Sequence, residues 1–555
     1  MADIIFRNKL LKESSITTVP SFFKIEDIPD QDFSKDIDAK MHDTLVRLNE
    51  LEVNSITIPL TVTENFLEFT GLRLGHHIRL STQLNFNMVP LIFIGTIEEI
   101  QLLKLSRLSH ILLTPNVYYV NISNFSLDDV VKSIDKLNKT SFEFIQYLEK
   151  ITIESPDNYD SHHSIDNELS LLRWSEYIGC AEQIPEVKNN LQAGLYFKYT
   201  KALNPVKPIK KGNQYMFLNK AKILLIDDQS SSGWAAFYEA FFKFSGHKIQ
   251  FEALDLDFKS MQDFQIIEKS MEVVSTFKPD VILLDLRLCD SDFDLTIKPS
   301  SLSGNKILKK IKSVNRGIQV IVITASDKVW NYEETLDLGA NAYVVKSANS
   351  EVFEDIKNLK NKIDLSINRA SYLIDGYESK RNIIKYIKKA LDDRKIEEIF
   401  YNEFLSFLKI SMGMFEKSKT KENFSFAYLS LFKCLELIGN DFVLNDSGSW
   451  IIKEEKNLKQ YYWDNETNEY ASKEIIDFRN NSPSTFEKIT GICFQLYSFE
   501  DSDIKQIYYS IDRRNKFIHP SNDMSNNVKK NLDKIYCKDG FVLLLEQLEK
   551  ITYHF

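Results

Sequence analysis

The 555-residue chain has only five cysteines, Cys180, Cys289, Cys434, Cys493 and Cys537, spaced far apart and with no CxxC pair. That spacing argues against a disulfide framework or a structural zinc site and fits a reducing compartment. Glycine and proline are scarce, at 17 and 13 residues, which favours helices and buried strands over flexible linkers. No apolar run approaches the roughly 18 residues that a membrane helix requires. The opening MADIIFRNKLLKESS has no apolar signal core, so a cytoplasmic chain without membrane contact is expected. Positive charge is not in excess: the formal net charge is -10. An acidic chain is not a general nucleic-acid coat, and binding RNA would require one local basic cleft. GxGxxG and P-loop patterns are both absent, so nucleotide hydrolysis is not expected.

The composition that remains, 43% hydrophobic and 27% charged, is that of an ordinary globular protein. The chain is too long for one core, and about three or four domains are expected. Residues 1–205 alternate strand-like runs with helical ones. NSITIPLTV (54–62), VPLIFIGT (89–96) and HILLTPNVYYV (110–120) read as buried strands, and 65–84, 125–152, 164–178 and 186–200 as helices. This is the alternation of a parallel sheet. The region reads as a sensing or docking module and as a candidate diverged copy of the module after it. NPVKPIKKGN (204–213) reads as a linker.

The pattern is cleaner from 220 to 364. KILLID (222–227), KIQFEALD (248–255), DVILLDL (280–286), QVIVITA (319–325) and AYVVK (342–346) read as strands, each followed by a helix. That count predicts a doubly wound five-stranded sheet. From 365 onward the strand signal ends and amphipathic helices predict an all-α region. The fold class expected is therefore α/β followed by all-α, with domains over 1–205, 206–364 and 365–555.

In an open parallel sheet, chemistry collects at the carboxyl ends of the strands. Here those ends carry Asp227-Asp228, Asp285, Thr324-Ala325 and Lys346. Three converging carboxylates repel one another unless a cation lies among them, and an all-oxygen set favours a hard ion such as Mg²⁺. With GANAYVVK (339–346), this constellation resembles the receiver domain of two-component response regulators. The resemblance implies that Asp285 accepts a phosphoryl group, that Asp227, Asp228 and Asp285 hold Mg²⁺, and that Lys346 pairs with the phosphate. It makes Thr324 and Tyr343 the switch residues, and a phosphodonor kinase or activating protein the partner. Two departures border the pocket: Ser347 stands where the family usually has proline, and the connection 286–304 is longer and more acidic than usual. A receiver fold used only as a docking surface is the competing reading.

Near the end, DSDIKQIYYSIDRRNKFIH (501–519) predicts a helix that Pro520 stops. Asn515 and His519 lie four residues apart on one face, and Arg514 precedes His519 by five. R-x4-H with a polar residue after the arginine resembles the motif of HEPN-type ribonucleases, over about 400–555. The resemblance implies a metal-independent endoribonuclease in which Arg514, Asn515 and His519 are catalytic, two motifs facing each other across a homodimer, and Glu436 in support. Histidine would move protons and arginine would stabilise the charged phosphorane, while RNA supplies its own 2′-OH nucleophile. No cofactor is required for this step. The bland reading is an exposed helix end with solvated Arg513, Arg514 and Lys516.

GLRLGHHIRLSTQ (71–83) offers groups for binding an anion or a nucleotide, but a solvated helix face is the favoured reading. His162 and His163 precede a helix and faintly resemble the phosphorylated helix of histidine kinases, with no ATP-binding region behind them. The leading expectation is thus a receiver-controlled HEPN ribonuclease in stress or anti-phage defence. The rival is a non-enzymatic response regulator or scaffold whose helical tail only dimerises or binds a partner.

Overall fold

The structure is a computed structural model that describes residues 2–8, 23–28, 33–62, 68–121, 143–156, 162–206, 216–294, 298–325, 329–347, 351–418, 420–446, 449–453, 456–467, 469–474, 482–518 and 537–555. Residues 125–142 of the expected 125–152 helix, most of the 204–213 linker, and His519 lie outside them.

The N-terminal sheet contains β1 (Ala2–Asn8), β2 (Phe23–Ile28), β3 (Val53–Pro59), β4 (Leu91–Gly95) and β5 (Val117–Asn121) in the order β2-β1-β3-β4-β5, all parallel. Helices α1 (Phe33–Leu48), α2 (Thr70–Leu80), α3 (Glu99–Leu105) and α4 (Phe144–Leu148) accompany it. Two expectations are corrected. Residues 110–113, read as the start of a strand, belong to a 3₁₀ helix (Arg107–Leu113) capped by Ser106, whose side chain accepts from the Leu108 amide. A short apolar run does not distinguish strand from helix by pattern alone. The strands β1 and β2 were also missed, because ADIIFRN and FKIEDI carry charge where a buried run would not.

GLRLGHHIRLSTQ is not a solvated face either. His76, His77 and Arg79 are fully buried. The Arg79 guanidinium donates to the backbone carbonyls of Asn87 (2.6 Å), Val89 (2.8 Å) and Asn116 (3.0 Å), stitching α2 to the loops before β4 and β5. Buried charge is tolerated when it is hydrogen-bonded in this way.

Three helices follow, α5 (His162–Ile178), α6 (Pro185–Ala193) and α7 (Leu195–Leu203). Leu195 joins the N-terminal core, whereas Ile165, Leu169 and Trp174 pack into the core of the next sheet. That second sheet comprises β6 (Ala221–Ile226), β7 (Ile249–Ala253), β8 (Val281–Leu284), β9 (Gln319–Thr324) and β10 (Ala342–Val345), all parallel, in the order β7-β6-β8-β9-β10. Numbered within each module, both sheets run 2-1-3-4-5. The second carries α8 (Ala235–Phe242), α9 (Asp263–Phe277), α10 (Ser303–Val314) and α11 (Val329–Asp337). Strands β8 and β9 are buried along their whole length, as expected of parallel strands covered on both faces.

Helix α12 (Val352–Asp392) has 41 residues and is about 60 Å long at 1.5 Å per residue. Its first half, including Ile356, Leu359 and Ile363, packs on the second sheet; its second half, from Leu373 to Ala390, belongs to the C-terminal core. With α13 (Glu398–Lys417), α14 (Lys421–Phe442), α15 (Thr485–Gln495), α16 (Asp501–Ile518) and α17 (Lys538–Tyr553) it forms a largely helical region. The all-α expectation is corrected. A three-stranded antiparallel sheet, β11 (Val443–Asp446), β12 (Ser449–Ile452) and β13 (Lys456–Asn457), and a hairpin, β14 (Lys459–Asp464) and β15 (Glu469–Glu474), interrupt the bundle. These strands are short and half-exposed, so they produce no apolar run.

Candidate functional site

Strand β6 ends at Ile226 and delivers Asp227 and Asp228; β8 ends at Leu284 and delivers Asp285; β10 ends at Val345 and delivers Lys346. The sheet thus brings together four of the residues predicted for this site. One carboxylate oxygen from each of Asp227, Asp228 and Asp285 lies within 4.8 Å of the others. The Lys346 ammonium donates to Asp227 Oδ2 at 2.7 Å and to Asp285 Oδ2 at 3.2 Å. The other Asp227 oxygen accepts from the Gln229 amide at 2.9 Å, and Asp285 Oδ1 accepts from the Leu286 amide at 2.5 Å.

Three carboxylates against one ammonium leave an uncompensated negative charge. Burial, then the neighbouring Asp227 and Asp285, push Asp228 up to about 8. Burial likewise raises Asp285, with Lys346 opposing. Burial alone would lower Lys346, but Asp227 and Asp285 outweigh it and hold the ammonium above its usual range. A hard divalent cation fits this all-oxygen set, and the residues that would hold it are Asp227, Asp228 and Asp285.

Thr324 is the last residue of β9; it is buried, and its carbonyl accepts from the Lys346 amide at 2.8 Å. Tyr343 is buried on β10 beside Leu286, Leu302 and Val322, with its ring edge-on to Tyr332 at 5.4 Å. Both predicted switch residues therefore flank the cluster without belonging to it.

Sequence reasoning missed three participants. The Trp234 ring lies 4.4 Å from the Lys346 ammonium, a cation–π contact on a side chain that is fully buried. Asn167 of α5 accepts from the Trp234 indole at 3.2 Å and donates to the Gln229 side chain. Asp292 accepts from the amides of Leu288 (2.9 Å) and Ser303 (2.9 Å), so it folds the long acidic connection back onto the start of α10. Gly304 sits there because an added Cβ would lie 2.2 Å from the Asp285 carbonyl. No spacing rule points to any of these contacts.

The N-terminal module has the same strand order but different strand ends: Asn8, Pro59, Gly95 and Asn121. Among the described residues the acidic cluster of the second sheet is the one group able to hold a metal ion.

Residues 8–120 match the family described as Inactive Receiver domain, in keeping with strand ends that lack carboxylates. Residues 248–357 match the Response regulator receiver domain. The chain contains receiver domains. The family match over the second module begins after Asp227 and Asp228, which the structure brings together with Asp285. The sporulation initiation phosphotransferase F of Bacillus subtilis (strain 168) is 25% identical over 134 residues, covering 24% of this chain and 88% of that protein. Among solved structures, the signal receiver domain of a putative Luxo repressor protein from Vibrio parahaemolyticus is 22% identical, covering 27% of this chain and 93% of its own, at a TM-score of 0.21. The receiver domain of Francisella response regulator 1452 is 23% identical, covering 27% and 98%, at 0.20.

The two family matches end by residue 357 and lend no support to the ribonuclease reading of the helical region. There, Arg514 on α16 donates to Glu436 Oε1 on α14 at 2.5 Å, and its guanidinium lies 5.2 Å from the Phe432 ring. Arg514 is thus tied to the neighbouring helix, and the Glu436 singled out in sequence is its partner. Asn515 lies in α16, but its side chain, like the whole of His519, is outside the described residues.

Proposed function

We propose that this chain is a non-enzymatic response regulator-like protein, in which the receiver domain at 220–364 is phosphorylated on Asp285 and the inactive receiver-like module and helical region respond. The observation that carries this reading is the convergence of Asp227, Asp228 and Asp285 on one edge of the sheet, bridged by Lys346. There an Asp285 carboxylate oxygen would attack the phosphorus of a phosphohistidine or of acetyl phosphate, the new acyl P–O bond forming as the donor's P–N or P–O bond breaks and the donor leaves; Asp227, Asp228 and Asp285 would hold Mg²⁺, which would offset the charge. Lys346 then turns from the carboxylates to the phosphoryl oxygens. A histidine kinase is the natural donor, since receiver domains are its usual targets. In this reading the helical region is the output, a role supported by α12, whose residues pack into both cores. Arg514, already engaged by Glu436, serves in that reading as a packing contact between α14 and α16 and not as a catalytic group.

The test is incubation of the purified protein with acetyl phosphate and Mg²⁺, followed by intact mass measurement. A single phosphoryl increment in wild type that is lost in Asp285→Asn supports the proposal. No increment, or an equal one in both proteins, overturns it.

A further inference from the structure

A second cluster of charge lies at the other end of the receiver sheet. Asn315–Gly317 lead into β9, whose opposite end is Thr324 at the acidic site, so about 20 Å of strand separates the two places. Here a cavity of about 610 Å³ opens between the turn bearing Arg316 and helices α12, α13 and α14. That volume lies within the ~300–1,000 Å³ range of small-molecule pockets.

Its walls combine cations with exposed apolar surface. Arg316, Lys380, Lys409 and Lys417 line it, against a single lining carboxylate, Glu416. Glu416 is already engaged: it accepts from Arg316 Nε at 3.0 Å and from the Tyr377 hydroxyl at 2.6 Å. Lys409 and Lys417 have no ion-pair partner among the described residues. Lys380 lies over the Tyr377 ring at 5.4 Å, and burial, with Arg316 and Lys409 beside it, lowers its pKa. Four cations against one occupied carboxylate are a concentration of like charge that an anion would relieve. Between them, Phe426 is 60% exposed and Met414 42% exposed, an apolar strip that could receive a flat ring.

We propose that this cleft binds an organic phosphate of nucleotide size, with its phosphates on Lys380, Lys409 and Arg316 and its ring against Phe426 and Met414. The occupant would touch the receiver domain through Arg316 and the helical region through α12–α14, and would thereby join the two. Binding requires no P-loop, because the anion is held by side chains, and it implies no hydrolysis.

The probe is N-methylanthraniloyl-ATP, titrated against the full chain in EDTA so that no cation fills the acidic site. Saturable fluorescence enhancement is expected, weakened by added salt and displaced by unlabelled ATP. Each lost charge-assisted contact weakens binding by about tenfold, so Lys380→Gln/Lys409→Gln lowers affinity by at least that factor, while Lys269→Gln, at an exposed position on α9 outside the cleft, leaves it unchanged. Absence of saturable binding, or equal binding by the double variant, overturns the proposal. If circular dichroism shows the double variant misfolded, Lys409→Gln alone decides: its side chain is exposed on α13, and unchanged affinity is then the overturning result.

Discussion

At the scale of single residues, the same residue types have opposite fates according to what they meet. Lys346 is fully buried yet held charged, because Asp227 and Asp285 reach it at 2.7 and 3.2 Å. Lys346 makes its hydrogen bonds to those two carboxylates, and Asp228 is the member of the cluster that burial and its two acidic neighbours raise to about 8. Asp228→Asn should therefore leave the fold intact and weaken Mg²⁺ affinity by tenfold or more, read by calorimetric titration; unchanged affinity would place the ion elsewhere. Arg514 makes the opposite point. Its pairing with Glu436, at side-chain exposures of 21% and 16%, is partly shielded from water, and removing one partner of such a pair strands the other. Arg514→Ala should cost about 1–3 kcal/mol, seen as a lower urea midpoint, and Glu436→Gln should cost a comparable amount. A melt that moves with neither substitution would free Arg514 for another role. The strand-end aspartates and Lys346 were legible in sequence because each follows an apolar run that fixes its place. Trp234, Asn167 and Asp292 were not, because their contacts depend on how α5 and the 286–304 connection fold back.

At the scale of elements, α2 shows how far burial overrides residue type. His76 accepts from the Tyr147 hydroxyl at Nδ1 (2.7 Å) and donates to the Leu108 carbonyl from Nε2 (2.8 Å), a pairing that a neutral ring satisfies completely. His77 likewise stands between Asp38 (2.9 Å) and the Lys198 ammonium of α7 (3.1 Å). Burial lowers His76 to about 3 and His77 to about 4. Lys198 is itself lowered to about 8 by burial, with Asp38 opposing. Both histidines thus have folded pKa values below the unfolded value of about 6.5. The unfolded chain takes up their protons first, so their contribution is complete above 6.5 and is lost as pH falls from there towards 4. The combined slope approaches about 2.7 kcal/mol per pH unit. Hydrogen exchange of peptides from α2 and β4 should quicken between pH 7 and 5, after correction for intrinsic rates, and His76→Gln should flatten that dependence. Exchange that ignores pH would contradict the buried neutral rings. A sequence reading favours a solvated face for such a run because charged residues are rarely buried unless paired, and the partners, Asp38, Tyr147 and Lys198, lie outside it. The strands from β11 to β15 were illegible for a different reason: hairpins with half-exposed faces do not need a continuous apolar run.

At the scale of the whole molecule, the question is how an event at Asp285 reaches residues outside the receiver sheet. Two physical links leave the site. One is α12, whose packing is shared between the receiver core and the helical region. The other runs through the loop after Asp227: Gln229 bonds the carboxylate through its amide and Asn167 of α5 through its side chain, while Trp234 touches both Asn167 and Lys346. Helix α5 also contributes Trp174 to the receiver core, edge-on to Trp234 at 5.5 Å, and α7 beyond it anchors to the N-terminal module through Lys198 and through the Leu195 amide on Asp38 (2.8 Å). If a phosphoryl group on Asp285, as proposed, draws Lys346 away from Asp227, the Trp234 ring would lose its cation and the Gln229 loop its counterweight. The two states would then differ in contacts that α5 makes directly, which is what a transmitted change requires. Beryllofluoride with Mg²⁺, an acyl-phosphate mimic, should therefore change hydrogen exchange in α5 as well as around Asp285. Asn167→Ala should leave the change at Asp285 in place and abolish it in α5. Persistence of the α5 response in that variant would assign transmission to α12 instead, and a response confined to the strand ends would mean that the site is not coupled to the N-terminal half.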